Sequence, residues 1–173
     1  MMSEVKIIDN FLKPDEFEKI LDVIANKNFP WFISDMSDYA DDNNTQLYHI
    51  FYNNNVPNSD YHYKMEPVYK NLNIFSLFKV RAIATMQSNG IDNHYHTDLE
   101  FQGSPTAATT AVYYINENDG GTQFEHDGKI IKSVANRMVI FNSNLKHRTV
   151  KHTNGVPFRY VLNINYVGVN NDN

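Results

Sequence analysis

Two metal-binding side chains stand two residues apart in the segment HYHTD, where His96 and Asp98 flank Thr97. On an extended strand, residues i and i+2 project from the same face, so both side chains are able to reach one ion. Taken alone the pair is a weak signal, because a His and an Asp at this spacing also occur in solvated turns. The pair therefore needs a third ligand and a structural context.

The third candidate ligand is His147, which opens the segment HRTV about fifty residues further along the chain. It follows the strand-like segment RMVIF and a polar turn, an order that allows it to return along the opposite wall of a barrel. Two imidazoles and one carboxylate on one face of an octahedron form the facial triad of non-haem iron(II) oxygenases. Such a ligand set leaves positions open for oxygen and for a bidentate 2-oxo acid.

The composition narrows the other possibilities. The chain has 173 residues, of which 42% are hydrophobic and none is cysteine, so we expect one soluble globular core and no thiolate metal site. A net charge of −5 argues against nucleic-acid binding, which needs a concentrated basic surface. We find no apolar run of roughly 20 residues and no signal-peptide pattern, and therefore expect a cytoplasmic protein that does not enter a membrane.

The N-terminal part of the chain predicts a strand followed by helices. The segment VKIIDNF is strand-like, and a helix begins near Pro14, with Phe17, Ile20 and Ile24 on one apolar face. The segment QLYHIFY is a further strand candidate, and a second helix is predicted around residues 59–75, with Pro67 in its first turn or at a kink.

From Phe78 onward the pattern changes to short apolar runs separated by turn residues, which is typical of an all-β sandwich or barrel. We predict one domain over residues 1–173, with residues 1–77 supplying a strand and helices that pack on a barrel core of residues 78–168. The polar loops around residues 32–47 and 99–106 are expected to decide what the site accepts.

Several motifs occur together in one order, and through them the chain resembles the 2-oxoglutarate- and iron(II)-dependent oxygenases, in particular the prolyl-4-hydroxylase-like branch with its phage and marine-microbe relatives. The motifs are DNFL, HTD, TAVYYIN, ENDGGTQF, RMVIF, LKHRTV and GVPFRYVLNINY. The resemblance implies a mainly β (α+β) fold, a double-stranded β-helix of the jelly-roll or cupin-like kind, braced by N-terminal helices.

The resemblance also assigns roles. It implies that His96, Asp98 and His147 are the catalytic metal ligands for Fe(II), that Arg159 pairs with the distal carboxylate of the co-substrate 2-oxoglutarate, and that Tyr114 donates its hydroxyl to the same carboxylate. Molecular oxygen would be the oxidant, with ascorbate as a supporting reductant. Arg159 lies twelve residues after His147, so the loop KHTNGVP between them must bulge.

Some side chains remain open from sequence alone. Strand alternation sends one of Tyr113 and Tyr114 towards the site, and Arg81 points either into the pocket or out of it. Met86 stands where relatives often carry a Tyr in the barrel. We treat His94 as non-ligating, and expect His152, in a turn with Asn and Gly, to be an ordinary exposed polar residue.

The activity implied by the resemblance is hydroxylation of an unactivated C–H bond with conversion of 2-oxoglutarate to succinate. The prime substrate would be a prolyl or other side chain of a peptide or protein, or a small metabolite. Two alternatives remain: a cupin-like metal enzyme that consumes no oxygen, and a binding module that has kept the fold without catalysis.

Overall fold

The computed structural model describes residues 5–34, 46–88, 93–99 and 108–169, and strands dominate it. The strands are β1 Lys6–Ile8, β2 Phe32–Ser34, β3 Gln46–Asn53, β4 Val56–Pro57, β5 Ile74–Met86, β6 Ala108–Tyr114, β7 Gly121–Phe124, β8 Ile130–Lys132, β9 Arg137–Asn142, β10 His147–Val150 and β11 Phe158–Gly168. The helices are α1 Pro14–Ile24, a 3-10 helix Asp60–Met65 and α2 Glu66–Lys70.

The strands form two antiparallel sheets. The larger one has the order β1-β9-β6-β11-β5-β3-β2, with β4 added at β3, and the smaller one has the order β10-β7-β8. The long strands β5 and β11 pair along almost their whole length at the centre of the larger sheet. Sequence neighbours are often not sheet neighbours, so residues distant in sequence meet on the same sheet face.

Alternation along the central strands creates two apolar layers. On β11, Leu162 and Ile164 face a core shared with the helices, whereas Val161 faces a second core between the two sheets. The second core also contains Phe124 of β7 and Phe141 of β9. The predicted mainly β architecture, with helices on one face, is therefore confirmed, and the candidate site lies on the face between the sheets.

The helices cover the outer face of the larger sheet. Helix α1 starts at Pro14 as predicted, and it buries Ile20 and Ile24. The second helical segment is shorter than we predicted, since α2 ends at Lys70 and β5 begins at Ile74. Pro67 lies in the first turn of α2, where its missing N–H costs no helical hydrogen bond.

The loop KHTNGVP, residues 151–157, leaves the strand direction between β10 and β11. The Asp119 carboxylate fixes it, because it accepts hydrogen bonds from the backbone N–H and hydroxyl of Thr153 and from the N–H of Asn154. His152 is completely buried, with Nε2 2.8 Å from the Val156 carbonyl oxygen, so our expectation of an ordinary exposed polar residue is wrong.

The two loops expected to decide the prime substrate lie largely outside the described residues, since residues 35–45 and 100–107 are not described. Within the described part of the chain, none of the helices is long and apolar enough to cross a membrane.

Candidate metal centre

The structure brings the three predicted ligands together. The ligand atoms of His96, Asp98 and His147 all lie within 4.8 Å of one another. Asp98 Oδ1 is 3.8 Å from His96 Nε2 and 3.9 Å from His147 Nε2. The side chains of Asp98 and His147 are 4% and 6% exposed, so the three ligands would hold an ion at a largely desolvated point.

Each imidazole is oriented by a backbone carbonyl. Nδ1 of His147 is 2.9 Å from the Leu145 carbonyl oxygen, and Nδ1 of His96 is 3.3 Å from the carbonyl oxygen of His94. A carbonyl only accepts, so Nδ1 carries the proton in each neutral ring and Nε2 presents its lone pair to the centre. This is the tautomer that metal binding requires.

The two carboxylate oxygens of Asp98 have different partners. Oδ2 accepts hydrogen bonds from Thr110 Oγ1, Asn163 Nδ2 and Asn165 Nδ2 at 2.9, 2.9 and 3.0 Å. These bonds leave Oδ1 directed at the two imidazoles. Our sequence reasoning missed these three donors, although Asn163 and Asn165 alternate with apolar residues on the predicted inner strand VLNINY, which is a readable signal of buried polar contacts.

The environment of Asp98 keeps it ionised. Burial raises the pKa of its carboxyl, but other contributions outweigh this and lower the pKa to about 2. They are the positive charges of the imidazoles of His147 and His96 in their protonated form and of Arg81, and the Asn163 hydrogen bond. A carboxylate that is charged at neutral pH does not have to lose a proton before it binds a cation.

The segment that carries His96 and Asp98 is not the regular strand we predicted. Residues 93–99 make a single β-bridge, between His96 and His147, and Asp98 N–H donates to the Ser143 carbonyl at 3.3 Å. The segment is nevertheless extended, and the side chains of His96 and Asp98 point to one place, as their i, i+2 spacing predicted.

A cavity lies beside the triad, between the two sheets. It is lined by polar and cationic side chains together with aliphatic ones, a combination found in sites for small polar ligands. The lining residues are Gln46, Arg81, Ile83, Asn93, His96, Val112, Thr122, His147, Thr149, Arg159, Val161 and Asn163.

Arg159 lies in the wall of this cavity and is only 2% exposed. Its Nη2 donates to the Gly121 carbonyl at 3.3 Å, and its guanidinium lies 5.3 Å from the ring centroid of Tyr114. Its Nε is buried without a hydrogen-bond partner. Burial lowers the pKa of Arg159, yet a guanidinium stays protonated, so it is a buried cation suited to an anionic ligand.

The two tyrosines of β6 face opposite sides of the larger sheet. Tyr113 points to the helix side, where its hydroxyl donates to Asn136 Oδ1 at 2.6 Å. Tyr114 lies on the cavity side near Arg159, and its hydroxyl donates to Thr122 Oγ1 at 2.8 Å. The same hydroxyl lies 3.2 Å from the Ile131 carbonyl oxygen, and Tyr114 itself does not line the cavity, so its role as a donor to a ligand stays a prediction.

Arg81 also lines the cavity, which answers the question that the sequence left open. It lies on β5 directly across from Asn163 of β11. Met86 on the same strand is 55% exposed and does not line the cavity. His94 is exposed and is not among the clustered metal-ligating side chains of the described residues, as we expected.

Neither protein-family models nor curated proteins match this sequence. Solved structures do: a prolyl hydroxylase from Trichoplax adhaerens, in complex with a hypoxia-inducible-factor peptide, is similar with a TM-score of 0.67 at 16% identity. The similarity covers 95% of this chain and 83% of that one. The chain has the fold of the 2-oxoglutarate- and iron(II)-dependent oxygenases.

Other structures with this oxygenase fold span different reactions. A viral collagen prolyl hydroxylase from Paramecium Bursaria Chlorella virus-1 is similar with a TM-score of 0.61 at 15% identity, over 95% of this chain and 96% of that one. The 2-oxoglutarate-dependent epimerase SnoN of nogalamycin biosynthesis reaches 0.65 at 13% identity, over 96% and 78%. The predicted double-stranded β-helix is confirmed, and the reaction must be argued from the site itself.

Proposed function

We propose that this protein is a 2-oxoglutarate- and Fe(II)-dependent dioxygenase that hydroxylates an unactivated C–H bond. The observation that carries the proposal is that the cavity bounded by His96 and His147 also contains the buried, incompletely hydrogen-bonded cation Arg159. A metal triad alone would suit many cupin-like enzymes. The addition of a buried guanidinium in the same cavity favours a metal-chelating co-substrate that carries a second carboxylate.

The ligand set fits Fe(II). Two neutral imidazoles and one carboxylate occupy one face of the ion and leave the opposite face for other ligands. When bound there, iron, 2-oxoglutarate and dioxygen would supply the oxidising chemistry: one oxygen atom enters the succinate formed from 2-oxoglutarate with loss of carbon dioxide, and the other hydroxylates the substrate C–H bond. Asp98 favours hydroxylation over halogenation, because halogenating relatives leave the carboxylate position free for chloride.

The protein's own residues would supply orientation and shielding. Arg159 would hold the distal carboxylate of 2-oxoglutarate through charge-assisted hydrogen bonds, and Tyr114 would add a hydroxyl on the same side. Ile83, Val112 and Val161 line the cavity, and these aliphatic side chains would keep water away from the reacting atoms once the co-substrate is bound.

For the prime substrate we propose a prolyl or other side chain of a peptide or protein. Its support is that two of the three similar structures described above are prolyl hydroxylases and that one of these is bound to a peptide. A small metabolite is the second candidate, favoured by the similarity to an epimerase of nogalamycin biosynthesis.

The decisive experiment reconstitutes the protein with Fe(II) under anaerobic conditions and titrates it with 2-oxoglutarate, following the visible charge-transfer absorption of the chelate. Oxygen is then admitted and succinate is measured. We expect iron-dependent binding followed by succinate formation. A protein that neither binds 2-oxoglutarate in an iron-dependent way nor forms succinate would rule out the proposed activity.

The prime substrate is tested separately. Product mass spectrometry after incubation with prolyl peptides and with small metabolites should reveal a mass gain of one oxygen in one class. Acceleration of succinate formation by that class identifies it. Oxygen insertion into metabolites but not into peptides would contradict the peptidyl assignment.

A further inference from the structure

A second arginine lies in the cavity, and neither the metal triad nor the anchor for 2-oxoglutarate uses it. Arg81 on β5 lines the cavity, and its Nε is buried without a hydrogen-bond partner. Directly across the strand pair, the Oδ1 atom of Asn163 is also buried and lacks a partner. Buried polar atoms without partners are few in native proteins. The Nε–H of Arg81 is a donor that an anion would complete, whereas Asn163 Oδ1 is an acceptor that only a donor group would complete.

The same arrangement recurs at the proposed anchor for 2-oxoglutarate. There Arg159 of β11 lies across from Thr85 of β5, and both Arg159 Nε and Thr85 Oγ1 are buried without partners. The two arginine positions are therefore four residues apart along the strand pair, which corresponds to about 13 Å of backbone. One cavity thus contains two cationic positions.

Arg81 is the position nearer to the metal ligands. Its cross-strand partner Asn163 donates to Asp98 Oδ2 at 2.9 Å. Asp98 and Arg81 are both described by the structure, yet they form no ion pair, because Oδ2 is taken by amide and hydroxyl donors and Oδ1 faces the imidazoles. Arg81 is therefore not simply the counter-ion of Asp98.

Among the described residues at the cavity, the positive charge of Arg81 is not balanced by a negative charge. A divalent metal, the Asp98 carboxylate, Arg159 and a dianionic co-substrate would balance one another. Among the described residues, the cavity lining contains no Asp or Glu that would neutralise Arg81. Arg81 is partly buried, and an anion beside a partly desolvated cation would stabilise the site.

Lys79 adds to the excess of positive charge on this side. It precedes Arg81 by two residues on β5, so it projects from the same face. It is half-buried, and burial together with the positive charge of Arg81 lowers its pKa, while Asp98 raises it. Both cations therefore lie close enough to sense each other and the metal-ligand carboxylate.

We propose that Arg81 is a second anion-binding position of the cavity and holds a carboxylate next to the metal ligands. Lys79, which does not line the cavity, adds positive charge from the same face of β5. The assignment of the carboxylate rests on the proposed function. It belongs either to the prime substrate, which would then be an acidic molecule, or to the metal-chelating 1-carboxylate of 2-oxoglutarate. The charge balance favours the prime substrate.

The first test uses bromide as the probe. Crystals of the full chain are soaked in bromide, both without metal and with Mn(II) and 2-oxoglutarate, and bromide is located by its anomalous scattering. We expect a bromide ion beside Arg81 that disappears in Arg81→Met and persists in Arg137→Met, an arginine ion-paired with Asp9 outside the cavity. Absence of bromide at Arg81 in every state, or its persistence in Arg81→Met, would argue against a second anion position.

The second test assigns the source of the carboxylate. The affinity of the Mn(II)-loaded protein for 2-oxoglutarate is measured by calorimetry in wild type, Arg81→Met, Arg81→Lys and Arg137→Met. A loss of about ten- to hundredfold in Arg81→Met, with recovery in Arg81→Lys, would assign Arg81 to 2-oxoglutarate. Unchanged affinity, with bromide still beside Arg81 when 2-oxoglutarate is bound, would assign it to the prime substrate.

The two proposals fail in different ways. If the wild-type protein does not bind 2-oxoglutarate but bromide occupies the Arg81 position, the proposed oxygenase function fails and the anion position stands. If 2-oxoglutarate binds and succinate is formed, but no anion is found at Arg81 and its substitution leaves affinity unchanged, only the second anion position is overturned. Bromide soaking of wild-type crystals decides the point even if Arg81→Met does not fold.

Discussion

His96 and His147 are joined by reciprocal backbone hydrogen bonds, in which each N–H donates to the carbonyl oxygen of the other at 2.9 Å. Their ring centroids are 4.6 Å apart. The bridge is the attachment of the 93–99 segment to β10, so the two imidazoles are held near each other by main-chain contacts. Because these contacts involve no side-chain atoms, either imidazole can be removed without removing the bridge.

Replacement of His147 by alanine should abolish high-affinity metal binding while the fold survives. The substitution removes one of only three predicted protein ligands, which together would occupy just half of the six coordination positions of an octahedral ion. Calorimetric titration with Mn(II) measures the effect, with circular dichroism to confirm folding. His94→Ala, an exposed histidine in the same segment, is the matched control and should bind Mn(II) as wild type does. Equal affinities in the two variants would remove His147 from the ligand set.

Asn165→Ala should weaken metal binding although Asn165 is not a ligand. Its amide donates to Asp98 Oδ2 and to Thr110 Oγ1, both at 3.0 Å, and so helps to aim Oδ1 at the metal position. Loss of such an orienting contact typically lowers metal affinity by about ten- to hundredfold. Mn(II) titration tests this, with the exposed Asn144→Ala as control. Unchanged affinity in Asn165→Ala would show that Asp98 needs no such orientation.

Arg159→Met should weaken 2-oxoglutarate binding and leave metal binding nearly intact. Hydrogen bonds to charged groups contribute about 1.5–3 kcal/mol each, which corresponds to roughly ten- to hundredfold in affinity. The measurement is calorimetry of 2-oxoglutarate with the Mn(II)-loaded protein, and Arg137→Met controls for loss of one positive charge. If both variants lose affinity equally, the effect is a long-range one and Arg159 is not the anchor.

Tyr113→Phe and Tyr114→Phe should separate stability from ligand binding. The hydroxyl of Tyr113 binds Asn136 on the helix side, so its removal should lower the free energy of unfolding by about 1 kcal/mol without changing 2-oxoglutarate affinity. Tyr114→Phe should lower that affinity severalfold. Urea unfolding and calorimetry on both variants provide the comparison, and the opposite pattern would show that the cavity-side tyrosine is not used for the co-substrate.

The sequence alone predicted the three side chains that cluster at the candidate metal centre, because each lies at a recognisable place in a pattern. His96 and Asp98 have the spacing of neighbours on one face of an extended chain, and His147 follows a predicted strand. Most strand positions were also predictable, since alternation and turn residues are local properties. The 3-10 turn before α2 and the early start of β5 were missed, because tertiary packing overrides local helical spacing.

Only the tertiary structure decided which side chains share the cavity. Arg81 had no sequence signal for its direction, because one residue of register moves a side chain to the other face of a sheet. For the same reason the sequence could not decide which of Tyr113 and Tyr114 faces the space between the sheets. The register of β6 on β11 decided it. The sequence by itself determined the fold class and which residues could bind a metal. Strand register, a long-range property, decided which cations accompany them.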